Sequence, residues 1–249
     1  MAGVIIALDA ASAAEARGMV ERLGDRADFY KVGLELYTRA GPDFVHELTG
    51  LGKRVFLDLK LHDIPNTVAG AVRAAHDLGV ELLTVHASGG ERMLEAAVGA
   101  AEDAAPAGPG SPPRLRLLAV TVLTSLTAEE LGGAWGRAAP EVSDEVRRLA
   151  LLAERAGVHG VVASPLEAAL LRTALAADLL IVTPGIRPTG AASGDQKRIA
   201  TPADAVVAGS DYLVVGRAVT AAPDPVEALA AVLREVEGSA PRPARADRS

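Results

Sequence analysis

Short apolar runs alternate with stretches of helical period along almost the whole chain. The runs at 4–9, 28–33, from 55 onward, 81–86, 115–123, 158–163, 179–182 and 211–216 are rich in Val, Ile and Leu. They are too short for buried helices and predict strands. Helices are expected at 38–51, 65–78, 140–156 and 225–235. Ser12, with Glu15 three residues on, reads as a capping box for a further helix, Gly79 closes the 65–78 helix, Gly89-Gly90 opens the next, and Pro165 starts another. Strand then helix, eight times without a mid-chain linker, implies parallel pairing. The expected fold is α/β, a (β/α)₈ barrel formed by a single domain over 1–237, within the usual length of about 250 residues. The proline- and glycine-rich stretch 106–114 is expected to be a surface insertion and 238–249 a disordered tail. An open doubly wound sheet is the alternative, but Asp9-Ala10-Ala11-Ser12 is not the glycine fingerprint it usually carries after its first strand.

Polar residues interrupt these runs in a regular way. Along a strand, side chains alternate faces, so Val55, Leu57, Leu59 and Leu61 share one face, and Phe56, Asp58, Lys60 and His62 the other. The same period groups Ile5, Ala7 and Asp9, then Phe29, Lys31 and Gly33, then Leu82, Thr84 and His86. In each set the apolar member lies deep and the polar one near the C-terminal end, where such barrels hold their active sites. Asp9, Lys31, Asp58, Lys60 and His86 are therefore expected at one mouth. A surface ion pair on an edge strand is the plain alternative for Asp58 and Lys60. Their apolar neighbours argue against it, because buried charges are costly unless paired or used.

A second group of candidates follows strands seven and eight. Thr183-Pro184-Gly185-Ile186-Arg187 and Gly216-Arg217 combine glycines, which let backbone amides approach an anion, with arginines that donate through a charged fork. Phosphate sites in these barrels often lie at these two loops. The small, glycine-bearing stretch 187–194 suits a closing lid.

Composition narrows the class. Of 249 residues, 49% are apolar and only 3% aromatic, so the core is aliphatic. There is no cysteine, which excludes disulfides, thiolate catalysis and zinc sites built on cysteine. The net charge of −7 argues against general nucleic-acid binding. No stretch is apolar enough to span a membrane and no basic-then-apolar segment opens the chain, so the expected location is cytoplasmic.

Taken together, Ala7-Leu8-Asp9, Lys31-Val32-Gly33, Phe56 through Thr67, Val85-His86-Ala87, Leu123-Thr124-Ser125, Thr183 through Arg187, Asp195-Gln196 and Val214 through Arg217 resemble the orotidine 5'-phosphate decarboxylase family. The run Asp-x-Lys-x-x-Asp-Ile-Pro-x-Thr, from Asp58 to Thr67, is its specific part. The resemblance implies decarboxylation of orotidine 5'-monophosphate to UMP in pyrimidine synthesis, without metal or cofactor. It implies that Lys60 protonates C6 and that Asp58 lies beside the departing carboxylate. Lys31 would bridge the charges and the ribose, and Asp9 would bind a ribose hydroxyl. Asp63, Ile64 and Thr67 would reach the neighbouring subunit's site in a homodimer. Thr124 would contact the pyrimidine, and Gln196, Gly216 and Arg217, helped by Arg187, would hold the phosphate. Asp-x-Lys-x-x-Asp also occurs in magnesium-dependent sugar-phosphate decarboxylases and hexulose phosphate synthases, which stand as the alternative. A non-catalytic nucleotide-binding barrel is a further one.

Overall fold

A computed structural model describes residues 2–104, 114–136, 138–188 and 200–239. The eight apolar runs form β1 (Gly3–Leu8), β2 (Phe29–Gly33), β3 (Arg54–Leu61), β4 (Leu82–His86), β5 (Arg116–Val120), β6 (Gly160–Val162), β7 (Leu180–Thr183) and β8 (Tyr212–Val215). All pair in parallel with their sequence neighbours, and β8 pairs with β1, closing the barrel. The expected (β/α)₈ architecture is therefore the observed one. Most expected strands run a residue or more too long at one or both ends, and β5 stops at Val120 rather than 123.

The helices are α1 (Ala13–Leu23), α2 (Leu34–Gly50), α3 (Pro65–Asp77), α4 (Glu91–Asp103), α5 (Ala128–Ala134), α6 (Val142–Arg155), α7 (Pro165–Ala174), α8 (Pro202–Val207), α9 (Arg217–Thr220) and α10 (Pro225–Glu237). Ser12 Oγ accepts the Glu15 N–H at 3.2 Å, as the capping box requires, but Glu15 returns to the Ala11 amide rather than to that of Ser12. Helix α2 begins before the expected 38 and is kinked at Gly41, whose φ of 68° starts a new turn at Pro42. Three short helices, α5, α8 and α9, are not expected from periodicity. For α5 the signal is local all the same: Thr127 and Glu130 form a complete capping box. The expected insertion 106–114, apart from Arg114, and the expected tail beyond Ser239 lie outside the described residues.

Strands covered on both faces must be apolar on both. Inside the barrel, Ile5, Ala7, Phe29, Phe56, Leu82, Leu118, Val182 and Val214 make one cluster. The opposite faces, including Ile6, Val32, Leu57 and Leu83, pack under the helices in a second, larger one. The inward assignments made from the two-residue period thus hold for the deep positions.

The N-terminal end of the barrel is closed by a polar floor. Arg54 donates to Glu81 at 2.7 and 2.9 Å and to the Tyr212 hydroxyl at 3.1 Å, and Arg116 also donates to Glu81. The Arg54 guanidinium sits 4.1 Å over the Phe29 ring. Burial would raise the Glu81 carboxyl, but its two arginines hold it below the ordinary value. With one end closed, the opposite end is left for chemistry.

Candidate active site

Four charged side chains of alternating sign meet at the C-terminal end of β1–β3. Lys31 Nζ lies 3.4 Å from Asp9 Oδ1 and 3.6 Å from Asp58 Oδ2. Lys60 Nζ lies 2.9 Å from both oxygens of Asp58. Glycine makes the room for this packing. A Cβ on Gly33 would stand 3.0 Å from Lys31 Nζ, and one on Gly216 would stand 3.2 Å from Asp9 Oδ2.

Asp58 and Lys31 are enclosed, with side chains 13% and 12% exposed, whereas Lys60 is 36% exposed and faces the opening. Burial alone would push the Asp58 carboxyl up. The charges of Lys31 and Lys60, with hydrogen bonds from Lys60 and Thr84, outweigh it and hold the group below the ordinary carboxylate value. Asp58 is therefore ionised at neutral pH.

Lys60 departs from regular strand geometry. Its φ is 53°, and it is the one non-glycine with positive φ among the described residues. Such a conformation costs on the order of 1–3 kcal/mol and persists only where the surroundings enforce it. The pairing of β3 with β4 shows the enforcement. Leu57 is level with Leu83 and Leu61 with Val85, so β3 spends two residues more than β4 across this interval. Asp58, the next residue in the first register, reaches Thr84 with its carboxylate, and Lys60 falls between the two registers.

His86 was expected at the mouth with the charged residues, but it does not line the cavity. The extra residues of β3 carry His62 level with His86, and the two rings stack at 5.4 Å between centroids. Burial, then the charges of His62 and Lys60, lower the His86 pKa, with Asp58 pulling partly back.

Above the charges opens a cavity of about 230 Å³. Asp9, Lys31, Asp58 and Lys60 line one side of it, Arg187, Gly216 and Arg217 also line it, and Thr124 completes the expected set that the structure brings together. Ala7, Phe56, Val162 and Val214 supply apolar lining. Arg187 Nε is buried and has no hydrogen-bond partner among the described residues. Burial, then the charge of Arg217, lower the pKa of Arg187. Two cationic forks thus converge on one end of the cavity, a donor set that suits an anion. The Arg187 amide bonds Ala200 O at 3.0 Å, pinning the base of the loop between β7 and α8. The expected lid, 187–194, lies outside the described residues beyond Pro188, as does Gln196.

Asp63, Ile64 and Thr67 do not join this cavity. All three are exposed on the turn into α3, with Ile64 66% exposed. Asp63 Oδ1 accepts the Ile64 N–H at 2.6 Å, and Asp63 is not part of the charged array of its own chain. The residue that sequence reasoning passes over is Thr84, whose hydroxyl bonds both Asp58 and the Lys60 amide. A threonine inside an otherwise apolar strand is the signal that could have marked it.

Comparison with known proteins agrees with this geometry. Residues 3–232 match the Orotidine 5'-phosphate decarboxylase / HUMPS family. Proteins named orotidine 5'-phosphate decarboxylase from Moorella thermoacetica and Halorhodospira halophila are 50% and 53% identical to the chain. Each alignment covers 94% of this chain, and 92% and 95% of the relative, respectively. A crystal structure of orotidine 5'-phosphate decarboxylase from Lactobacillus acidophilus superposes with a TM-score of 0.84 at 40% identity, covering 96% of this chain and 100% of the other. An eight-stranded barrel with an Asp–Lys–Asp–Lys array at its mouth, matched over almost its whole length, makes this chain a member of the Orotidine 5'-phosphate decarboxylase / HUMPS family.

Proposed function

We propose that the protein decarboxylates orotidine 5'-monophosphate to UMP in pyrimidine biosynthesis, and that Lys60 protonates C6. The observation that carries the reading is the bidentate contact of Lys60 with Asp58 at the edge of a cavity that Arg187 and Arg217 also line. Loss of CO₂ from C6 leaves a carbanion with no conjugated electron sink. A fixed cation beside that carbon stabilises it, and the same cation can then deliver the proton. Its position at the cavity edge supports Lys60 in both tasks.

Asp58, ionised and enclosed, stands beside the position the substrate carboxylate would take, so departure of CO₂ relieves the crowding of two anions. Lys31 keeps Asp58 ionised and, with Asp9, presents polar atoms to the ribose hydroxyls. Arg217 and Arg187, with Gly216 and Gln196, bind the phosphate, and Thr124 contacts the pyrimidine. Enzymes lower barriers by roughly 8–23 kcal/mol. One lysine does not supply the upper end of that range, so phosphate binding contributes by closing 187–194 and fixing geometry at C6.

The proposed assembly is a homodimer with shared sites, in which Asp63, Ile64 and Thr67 reach the partner's cavity. The exposure of that turn supports this. So does the concentration of exposed apolar residues just after strand ends, at Leu34, Ile64, Leu123 and Leu166.

The deciding experiment incubates purified protein with orotidine 5'-monophosphate in EDTA and follows UMP formation. Turnover in EDTA is expected. Absence of UMP, or a strict need for magnesium, would point instead to the sugar-phosphate branch of the family.

A further inference from the structure

We infer that Thr84 is a positioning residue for the reaction, because one hydroxyl sets both the backbone of Lys60 and the carboxylate of Asp58. This rests on the reading of Lys60 as proton donor. Thr84 is fully buried on β4, between the apolar Leu83 and Val85. Its Oγ accepts the Lys60 N–H at 2.8 Å. A hydroxyl carries one proton, and here it goes to Asp58 Oδ1 at 3.0 Å.

The two bonds act on the same pair. The first meets the Lys60 amide where the β3–β4 register shifts, and so holds that residue in its left-handed conformation. The second fixes the plane of the carboxylate that receives Lys60 Nζ through both oxygens. Thr84 is not among the residues lining the cavity, so it acts through Lys60 and Asp58 rather than on substrate. Valine has the same shape and neither a donor nor an acceptor. In Thr84→Val the Lys60 amide loses its hydroxyl partner and Asp58 Oδ1 keeps only Lys60 Nζ, and nothing then requires φ near 53° at Lys60.

The test compares Thr84→Val and Thr84→Ser with the parent in steady-state decarboxylation, with UMP affinity measured alongside. A small displacement of a reacting group costs up to about 100-fold in rate, so Thr84→Val is expected to lower kcat by about 10- to 100-fold. KM and UMP affinity should stay within about threefold, as for an interaction made chiefly in the transition state. Thr84→Ser keeps the hydroxyl and should stay within about threefold of the parent kcat. A Thr84→Val kcat within about threefold of the parent, or equal losses in Thr84→Val and Thr84→Ser, overturns the inference. Should Thr84→Val not fold, Thr84→Cys, with its poorer donor and acceptor, is judged by the same criterion. A crystal structure of the folded variant gives an answer independent of turnover. Lys60 leaving the left-handed region supports the inference, and an unchanged Lys60 overturns it. A parent without activity on orotidine 5'-monophosphate defeats the functional reading instead, and the crystallographic result then decides the role of Thr84 alone.

Discussion

Lys60 and Asp58, two residues apart on β3, meet through both carboxylate oxygens at 2.9 Å because the strand bulges between them and the next ladder pair. In a regular strand two such side chains stand roughly parallel. Here the left-handed backbone at Lys60 accompanies a closed ion pair, and the pair sits at the edge of the cavity.

The ionisation of Asp58 gives a prediction in pH. Its folded pKa is lowered, so its carboxylate is lost only as pH falls through that lowered value, below the ordinary carboxylate value near 3.9. kcat/KM should therefore show no limb from Asp58 between about pH 5 and 7. Asp58→Asn removes the charge at every pH and should reduce kcat by at least about 100-fold, the scale of a lost preorganised electrostatic contact. A pH-rate profile of both proteins checks this, and an Asp58→Asn enzyme near parental rate would rule out the charge as a contributor.

Phosphate binding is expected to affect the chemical step. Arg217→Ala should lower kcat/KM by more than the roughly 1.5–3 kcal/mol of one charged hydrogen bond, because part of the dianion's binding energy is realised only in the transition state. Added phosphite dianion should activate the parent enzyme on a substrate lacking the phosphate. If the parent shows no phosphite activation, Arg217 is an anchor and nothing more.

Sharing of sites between subunits predicts complementation. Lys60→Ala and Asp63→Ala proteins, each inactive, should recover part of the activity on mixing, since one site in each hybrid dimer carries neither lesion. Subunit exchange is verified by mass measurement on tagged chains. Exchange without recovery contradicts a role for Asp63 in the partner's cavity.

The barrel and most of the cavity were legible because each depends on local pattern. A charge inside an apolar strand, as at Lys31, Asp58 and Lys60, stands out against its neighbours, and the two-residue period points it inward. What stayed hidden depends on distant partners. The Lys60 amide at the bulge bonds Thr84 of the next strand, and the floor joins Arg54 to Tyr212 across 158 residues. Periodicity in one strand carries no information on where its neighbour slips. His86 lies close enough to feel the charges of Lys60 and Asp58, but its ring packs on His62 rather than lining the cavity.

Two histidines make stability depend on pH. Burial is the leading cause that lowers both His86 and His159, and His159 Nδ1 accepts the Leu117 N–H at 3.1 Å, which only the neutral ring can do. Near pH 6.5 the unfolded chain binds protons that the fold resists. Their contribution is thus complete above about pH 6.5 and is lost as pH falls below it. His159→Asn offers an acceptor without titrating, and should flatten the slope of unfolding free energy by at most about 1.4 kcal/mol per pH unit. Denaturant titrations between about pH 5.5 and 7.5 measure the slope. An unchanged slope in His159→Asn contradicts the assignment.

The central claim is that Lys60 supplies both the stabilising charge and the proton. Its most direct test is single-turnover conversion of orotidine 5'-monophosphate by parent and Lys60→Ala enzymes, each shown to be folded and to bind UMP. The parent should convert bound substrate fully, and Lys60→Ala should form no measurable UMP. Turnover by Lys60→Ala within about tenfold of the parent, a loss of only about 1.4 kcal/mol in the barrier, would contradict the account.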